Sequence, residues 1–156
     1  RRDVLKKGGG LSLMALLGAA GWLTPELAQA QAAAWNKGAF ETHSMDETLK
    51  ALGGSAPAQS KDIVFFSTPD IAENGAVVPI GAATSLPGVK RIAFLVEKNP
   101  TTLAGVFEFT DAVETSVKTR IKMGQTSNVL AVAITGDGKV LYAQKEVKVT
   151  LGGCGG

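Results

Sequence analysis

The chain has 156 residues, with 16 Lys or Arg, 14 Asp or Glu, and 45% hydrophobic residues. Four of the basic and two of the acidic side chains lie in the first 30 residues, so the remainder has a formal net charge of zero. This balance argues against nucleic acid or an anionic membrane surface as a partner. The remainder, about 126 residues, is long enough for one domain with a hydrophobic core.

Residues 1–30 are arranged like an export signal. The paired basic residues Arg1 and Arg2 precede an apolar run from Leu11 to Leu23, and Ala28-Gln29-Ala30 follows as a small-residue cleavage pattern. The apolar run is too short for a membrane-spanning helix, which needs about 20 residues. The paired arginines favour a twin-arginine signal peptide over a general secretory one. We expect cleavage after Ala30 and a periplasmic mature protein.

The next segment, residues 31–60, is predicted to contain a lead-in and one helix. Thr42 or Ser44 can cap a helix that runs to about Leu52, because apolar side chains recur there at helical spacing. Gly53-Gly54 is predicted to end this helix. Residues 55–60 are predicted to form a loop.

Residues 61–151 are predicted to form a β-domain of short strands. The predicted strands are Asp62–Phe66, Ala76–Ala82, Val89–Val96, Leu103–Thr110, Ser116–Met123, Val129–Thr135 and Lys139–Gln144, with Val147 and Val149 ending the last one. Gly136-Asp137-Gly138 is predicted to be a hairpin turn. Seven or more short strands at regular spacing predict an all-β fold, an immunoglobulin-like antiparallel β-sandwich preceded by one helix.

Residues 152–156 contain the single cysteine of the chain, Cys154. Its neighbours on both sides are glycines: Gly152, Gly153, Gly155 and Gly156. Glycine has no side chain to pack and loses more conformational freedom on ordering than other residues, so this segment is predicted to be a flexible tip. A lone cysteine in an exported protein is either an intermolecular link or a reactive thiol.

Other polar side chains are assigned ordinary roles. His43 is predicted to be a surface or capping residue. Turn chemistry accounts for three polar residues that precede a predicted strand: Asp70, Glu73 and Asn74. Three cations alternate along another strand, as a solvated sheet face or a docking surface: Lys118, Arg120 and Lys122. One Cys and one His cannot supply a metal site of three or four soft ligands, so we expect no metal. No cofactor and no catalytic side chain are expected either.

Four stretches together resemble a known family. They are Ile71-Ala72-Glu73-Asn74-Gly75-Ala76-Val77-Val78-Pro79, Glu97-Lys98-Asn99-Pro100, Thr119-Arg120-Ile121-Lys122-Met123 and the terminal Val147-Lys148-Val149-Thr150-Leu151-Gly152-Gly153-Cys154-Gly155-Gly156. The pattern resembles the SoxY family, the sulfur-carrier subunits of the periplasmic Sox system for thiosulfate oxidation. The resemblance covers nearly all of the predicted mature chain. Leu151 stands where valine or threonine is also common in the family.

The resemblance implies a carrier that holds its substrate covalently on Cys154 and is not itself an enzyme. A c-type cytochrome would couple thiosulfate to the cysteine, and a dinuclear-metal hydrolase would then release sulfate. A molybdenum-containing dehydrogenase would oxidise the remaining sulfane sulfur where it is present. The carrier itself would form a heterodimer with a small β-protein, SoxZ.

Two other kinds of function stay open at this point. The first is a cysteine-dependent enzyme, such as a sulfurtransferase or thiol peroxidase, which would need a base or cation positioned at the thiol. The second is an exported β-domain that dimerises through Cys154. The glycines beside the cysteine argue against both functions. They offer no scaffold that could position a base for an enzyme, and they would make a flexible rather than a rigid link in a dimer.

Overall fold

The computed structural model describes residues 36–53 and 55–153, which form two short helices and nine strands. The predicted signal peptide, with Arg1 and Arg2, lies outside the described residues. The helices are α1 (Lys37–Phe40) and α2 (Met45–Ala51). The strands are β1 (Ser55–Gln59), β2 (Ile63–Phe66), β3 (Ile71–Ala72), β4 (Val78–Thr84), β5 (Val89–Val96), β6 (Leu103–Glu108), β7 (Ser116–Ile121), β8 (Ser127–Thr135) and β9 (Lys139–Val149).

The helical segment differs in part from the prediction. Helix α2 begins after Ser44, whose hydroxyl accepts a hydrogen bond from the Glu47 amide at 3.3 Å, and the chain turns away at Gly53 with φ +79°. The predicted helix is present as α2, but the predicted lead-in contains a second helix, α1. Asn36 caps α1 by accepting from the Ala39 amide at 3.2 Å.

The strands form two sheets, and the predicted immunoglobulin-like β-sandwich is confirmed. The large sheet has the order β1-β9-β8-β5-β6, with β3 also paired to β9, and the small sheet has the order β2-β4-β7. Most neighbours are antiparallel, but β1 and β3 run parallel to β9. The predicted antiparallel sandwich therefore includes two parallel pairings at β9. The predicted loop at residues 55–60 is wrong, because β1 lies there.

The main hydrophobic core lies between the two sheets. The small sheet contributes Ile63, Val78, Ile80, Ala82 and Ile121, and the facing side of the large sheet contributes Ile92, Phe94, Val96, Val129, Ala131, Ala133, Leu141 and Val147. Phe94 is fully buried and meets Phe107 edge to face, with ring centroids 6.0 Å apart. The sheets are thus joined by apolar packing.

A second core covers the opposite face of the large sheet, where the helices pack. Leu49 and Leu52 of the helical segment contact the outward side of the central strands, which presents Ala93, Leu95, Leu130, Val132, Ile134 and Val140. Strand β8 is therefore buried on both faces, which explains its nearly continuous apolar sequence. In the described part of the chain, no helix is long and apolar enough to cross a membrane.

Candidate functional site

Strand β9 leads directly into the glycine segment that was predicted to carry the site. Its last residues are held from both sides. The Lys148 and Thr150 amides donate to the carbonyl oxygens of Asp70 and Ala72 at 2.9 and 3.1 Å. The Val149 amide donates to the Thr126 hydroxyl at 2.9 Å. The chain thus remains part of the folded body through Thr150.

Beyond Thr150 the backbone stays attached to two other segments. The Gly75 amide donates to the Leu151 carbonyl at 2.7 Å, and the Gly153 amide donates to the Met123 carbonyl at 2.9 Å. The Met123 amide in turn donates to the Gly75 carbonyl at 2.7 Å. Three segments that are distant in sequence are therefore linked by backbone hydrogen bonds. We call them together the tip root: residues 74–76, 122–124 and 151–153.

The glycines of the tip root allow its backbones to approach closely. A Cβ atom on Gly153 would lie well under 3.0 Å from backbone atoms of Gly75 and Ala76. A Cβ atom on Gly75 would lie 2.7 Å from the Gly153 nitrogen, and one on Gly152 would collide with the Gly124 carbonyl. These glycines therefore have a packing role that sequence reasoning missed, because flexibility alone was invoked for them.

The side chains of Asn74 and Asn99 make hydrogen bonds to backbone atoms of the tip root. The Asn74 side-chain oxygen accepts from the Ala76 amide at 2.8 Å, the turn chemistry that was predicted for this loop. Asn99 lies in the connection after β5. Its amide nitrogen donates to the Lys122 carbonyl at 2.8 Å, and its side-chain oxygen accepts from the Gly124 amide at 3.1 Å. Asn99 thus holds both peptide neighbours of Met123.

The predicted cationic face lies near the tip root. Lys118, Arg120 and Lys122 are exposed along β7 and just beyond it, on an edge strand of the small sheet. A shallow cavity of about 280 Å³ lies between this edge and the start of β6, lined in part by Asn99, Arg120 and Lys122. This side of the tip root is therefore exposed and carries positively charged side chains.

Comparison with known proteins identifies the family. The family model described as "Sulfur oxidation protein SoxY" matches residues 49–154. The chain belongs to the SoxY family. Membership gives it a role as a sulfur carrier in sulfur oxidation, within the Sox system. Among curated proteins, no match was found.

A solved structure of a SoxY protein agrees with this family, and other solved structures share a weaker likeness. The sulfur carrier protein SoxY from Chlorobium limicola f thiosulfatophilum is 35% identical, with a TM-score of 0.62 over 69% of this chain and 97% of that one. A superoxide reductase (neelaredoxin) from Ignicoccus hospitalis is 16% identical, with a TM-score of 0.49 over 56% of this chain and 78% of that one. Fibronectin(III)-like modules of Clostridium thermocellum CbhA are 20% identical, with a TM-score of 0.44 over 56% and 93%.

The SoxY motif is only partly within the described residues. Cys154, Gly155 and Gly156 lie outside them, whereas Gly152 and Gly153 belong to the tip root. Both hydrogen bonds described for residues 151–153 join backbone atoms. Among the described residues, no cluster of three His, Asp or Glu side chains could hold a metal ion. The described part of the candidate site is therefore a set of backbone hydrogen bonds that ends at Gly153, the residue before the cysteine.

His43 lies elsewhere. Its imidazole is exposed, and its Nδ1 atom lies 2.6 Å from the Pro100 carbonyl oxygen. The imidazole therefore links the start of α2 to the connection that carries Asn99. The position agrees with the surface role predicted for it.

Proposed function

We propose that this SoxY-family chain carries sulfur intermediates covalently on Cys154 and presents them to partner enzymes during thiosulfate oxidation. The observation that carries the proposal is the tip root, which holds the glycine segment up to Gly153, the residue bonded directly to the single cysteine. Family membership supports the same role. A thiolate is the nucleophilic form of cysteine, so loading depends on deprotonation of Cys154.

The proposed loading step is an oxidative coupling. The Cys154 thiolate and thiosulfate form a new sulfur–sulfur bond, and the two electrons released pass to a c-type cytochrome partner. Water then attacks the terminal sulfonate in a dinuclear-metal hydrolase, which releases sulfate and two protons and leaves a persulfide on the cysteine. A molybdenum-containing dehydrogenase oxidises that sulfane sulfur where such a partner exists. The carrier itself supplies the thiol and no catalytic group.

The proposal extends to location and assembly. Export by the twin-arginine route, with Arg1 and Arg2 in the signal, would deliver the folded domain to the periplasm. A heterodimer with a SoxZ-like β-protein is supported by the exposed edge strands β6 and β7. Export of a folded protein would allow a partner without its own signal to cross in the same complex.

Replacing Cys154 with serine tests the function. We expect Cys154→Ser to abolish thiosulfate-dependent electron transfer to the cytochrome and to leave the unfolding midpoint unchanged, because a lone cysteine closes no internal disulfide. Intact-mass spectrometry of the wild-type protein from thiosulfate-grown cells should show reductant-sensitive additions of about 32 or 112 Da on Cys154, a sulfane sulfur or a thiosulfonate.

The other possible functions give different results. Activity that persists in the serine variant, or additions on other residues, would contradict the carrier function. If the only reductant-sensitive addition has the mass of a second chain, the protein is a disulfide-linked dimer instead.

A further inference from the structure

We infer that the tip root is a positioning device: it fixes the backbone position from which Cys154 enters partner enzymes, and Asn99 is its positioning residue. The inference rests on the proposed function and deepens it. The whole glycine motif was expected to swing freely. The structure instead anchors its first half, so the point of departure of the thiol is set at Gly153.

The anchor is built on the hydrophobic core. Met123 is fully buried between the two sheets, and its backbone amide and carbonyl bind Gly75 and Gly153 respectively. A buried side chain of this size cannot shift without opening a cavity. The carbonyl that receives the Gly153 amide is therefore held by core packing as well as by its neighbours in the loop.

Asn99 completes the anchor from the outside. Its side-chain amide bonds the Lys122 carbonyl on one side of Met123 and the Gly124 amide on the other. Fixing the atoms before and after Met123 fixes the direction of the carbonyl between them. Asn99 makes no hydrogen bond to residues 151–153 in the described structure, so it acts on Gly153 only through the Met123 segment.

Because the backbones of Gly75 and Gly153 are in close contact, a side chain added at either residue would disturb the tip root. Neither residue can accept a methyl group without pushing the two backbones apart. Gly153 is covalently bonded to Cys154, so displacing it displaces the start of the thiol-bearing segment. Group transfer between a bound thiol and a partner's active site depends on near-attack geometry, and a misplacement of about 1 Å can cost a hundredfold in rate.

The stretches that carry the family resemblance meet at this point. Residues 71–79 supply Asn74 and Gly75, residues 97–100 supply Asn99, residues 119–123 supply Met123, and the terminal stretch supplies Gly153. They are far apart in sequence, and three of them are also joined by strand pairing, β3 with β9 and β4 with β7. A common role in holding Gly153 gives a physical reason for this juxtaposition.

Two glycine variants provide a matched test. Gly153→Ala and Gly136→Ala each add one methyl group, but only Gly153 lies in the tip root, and a Cβ atom on Gly136 would make only ordinary contacts of 3.5 Å or more. With thiosulfate and the c-type cytochrome partner, we expect Gly153→Ala to lower kcat by about tenfold to a hundredfold at unchanged KM for the carrier. Gly136→Ala should stay within about twofold of the wild type. Alkylation of Cys154 by iodoacetamide should not slow in either variant.

Asn99→Ala provides a second, independent variant, with Asn128→Ala as its control. Asn128 also uses its side-chain amide, which donates to the Glu97 carboxylate at 2.9 Å, but none of its described hydrogen bonds reaches the tip root. We expect Asn99→Ala to lower kcat and to speed hydrogen exchange at the Gly153 amide by at least about tenfold, whereas Asn128→Ala changes neither. Exchange is measured on the wild-type protein and the two variants.

Several results would overturn the inference. These are an unprotected Gly153 amide in the wild type, equal kcat losses in the two glycine variants, or normal kcat in Asn99→Ala despite faster exchange. Failure of the proposed function is distinguishable, because wild-type protein would then accept no sulfur from thiosulfate at all. The exchange experiment would still decide whether the anchor exists.

Discussion

At the scale of single residues, Asp137 of the predicted hairpin turn has a carboxyl pKa that its neighbours lower. It lies between β8 and β9, where Gly138 adopts φ +84°, as expected for a tight hairpin. The Thr135 hydroxyl donates to the Asp137 carboxylate, and this bond, followed by the backbone amide of Asp137 itself, lowers the pKa of the carboxyl below its ordinary value. The turn is thus stabilised by the ionised form of the residue.

The lowered pKa predicts a pH dependence. Since the folded-state pKa lies below the unfolded one, the stabilising contribution is present above the unfolded pKa and is lost as the pH falls through the folded value. We expect Thr135→Val to raise the Asp137 titration midpoint measured by NMR. Thr135→Ser, which keeps the hydroxyl, should leave the midpoint low. Equal midpoints in the two variants would show that the hydroxyl is not the cause.

For the glycines around Cys154, the sequence predicted a candidate site but not their packing. Their spacing around Cys154 predicted a site in this segment, and that assignment stays a prediction. The close contact of Gly153 with Gly75 has no local signal, because the two residues lie 78 positions apart. Only the folded arrangement shows that one of these glycines is required for packing.

At the scale of elements, α2 illustrates a helix whose stability comes from one apolar face. Ser44 caps it, acidic residues occupy its first turn, and Leu49 packs against the outer face of the large sheet. Seven residues are too few for an independently stable helix. Its attachment therefore depends on this packing.

We expect Leu49→Ala to reduce the free energy of unfolding by about 2–5 kcal/mol, since it leaves a cavity beneath the helix. Lys50→Ala, the next residue on the exposed side, should change it by no more than about 0.5 kcal/mol. Denaturant unfolding of the two variants compares them directly. Equal changes in the free energy of unfolding would mean that the packing of α2 against the large sheet does not stabilise the protein.

Strands were predicted correctly where they are buried along their whole length. A strand that is defined only by its hydrogen bonds to a neighbouring strand was missed. The apolar runs of β5 and β8 predicted these strands correctly because both faces of the large sheet are covered. Strand β1 was missed, since Ser55–Gln59 contains few residues with β propensity and has Pro57 at its centre. Its parallel pairing with β9 at the sheet edge is a tertiary effect.

At the scale of the whole molecule, the sandwich leaves several edges unpaired among the described strands. Strands β1 and β6 border the large sheet, and β2 and β7 border the small one. Val64 on β2 and Val113 before β7 are each 57% exposed. Such edges and apolar side chains are features that proteins usually cover. They support assembly through the domain rather than through the cysteine.

We therefore expect Cys154→Ser to retain the SoxZ-like partner as well as the wild type does, in the presence or absence of reductant. Co-purification followed by sedimentation analysis measures the heterodimer. Apolar and sheet-edge contacts do not depend on a thiol, so the two proteins should have equal affinity. Loss of the partner in the serine variant would mean that a disulfide holds the complex together.

Strand β9 also determines the order in which the molecule can be completed during synthesis. The ribosome produces β9 after every other described strand, yet β1 and β3 pair only with it and β8 has it as one of two neighbours. The large sheet therefore closes with the same segment that continues to the cysteine. A chain that stops within β9 lacks part of the pairing partner of β1 and β3 as well as the thiol, so the same truncation removes both.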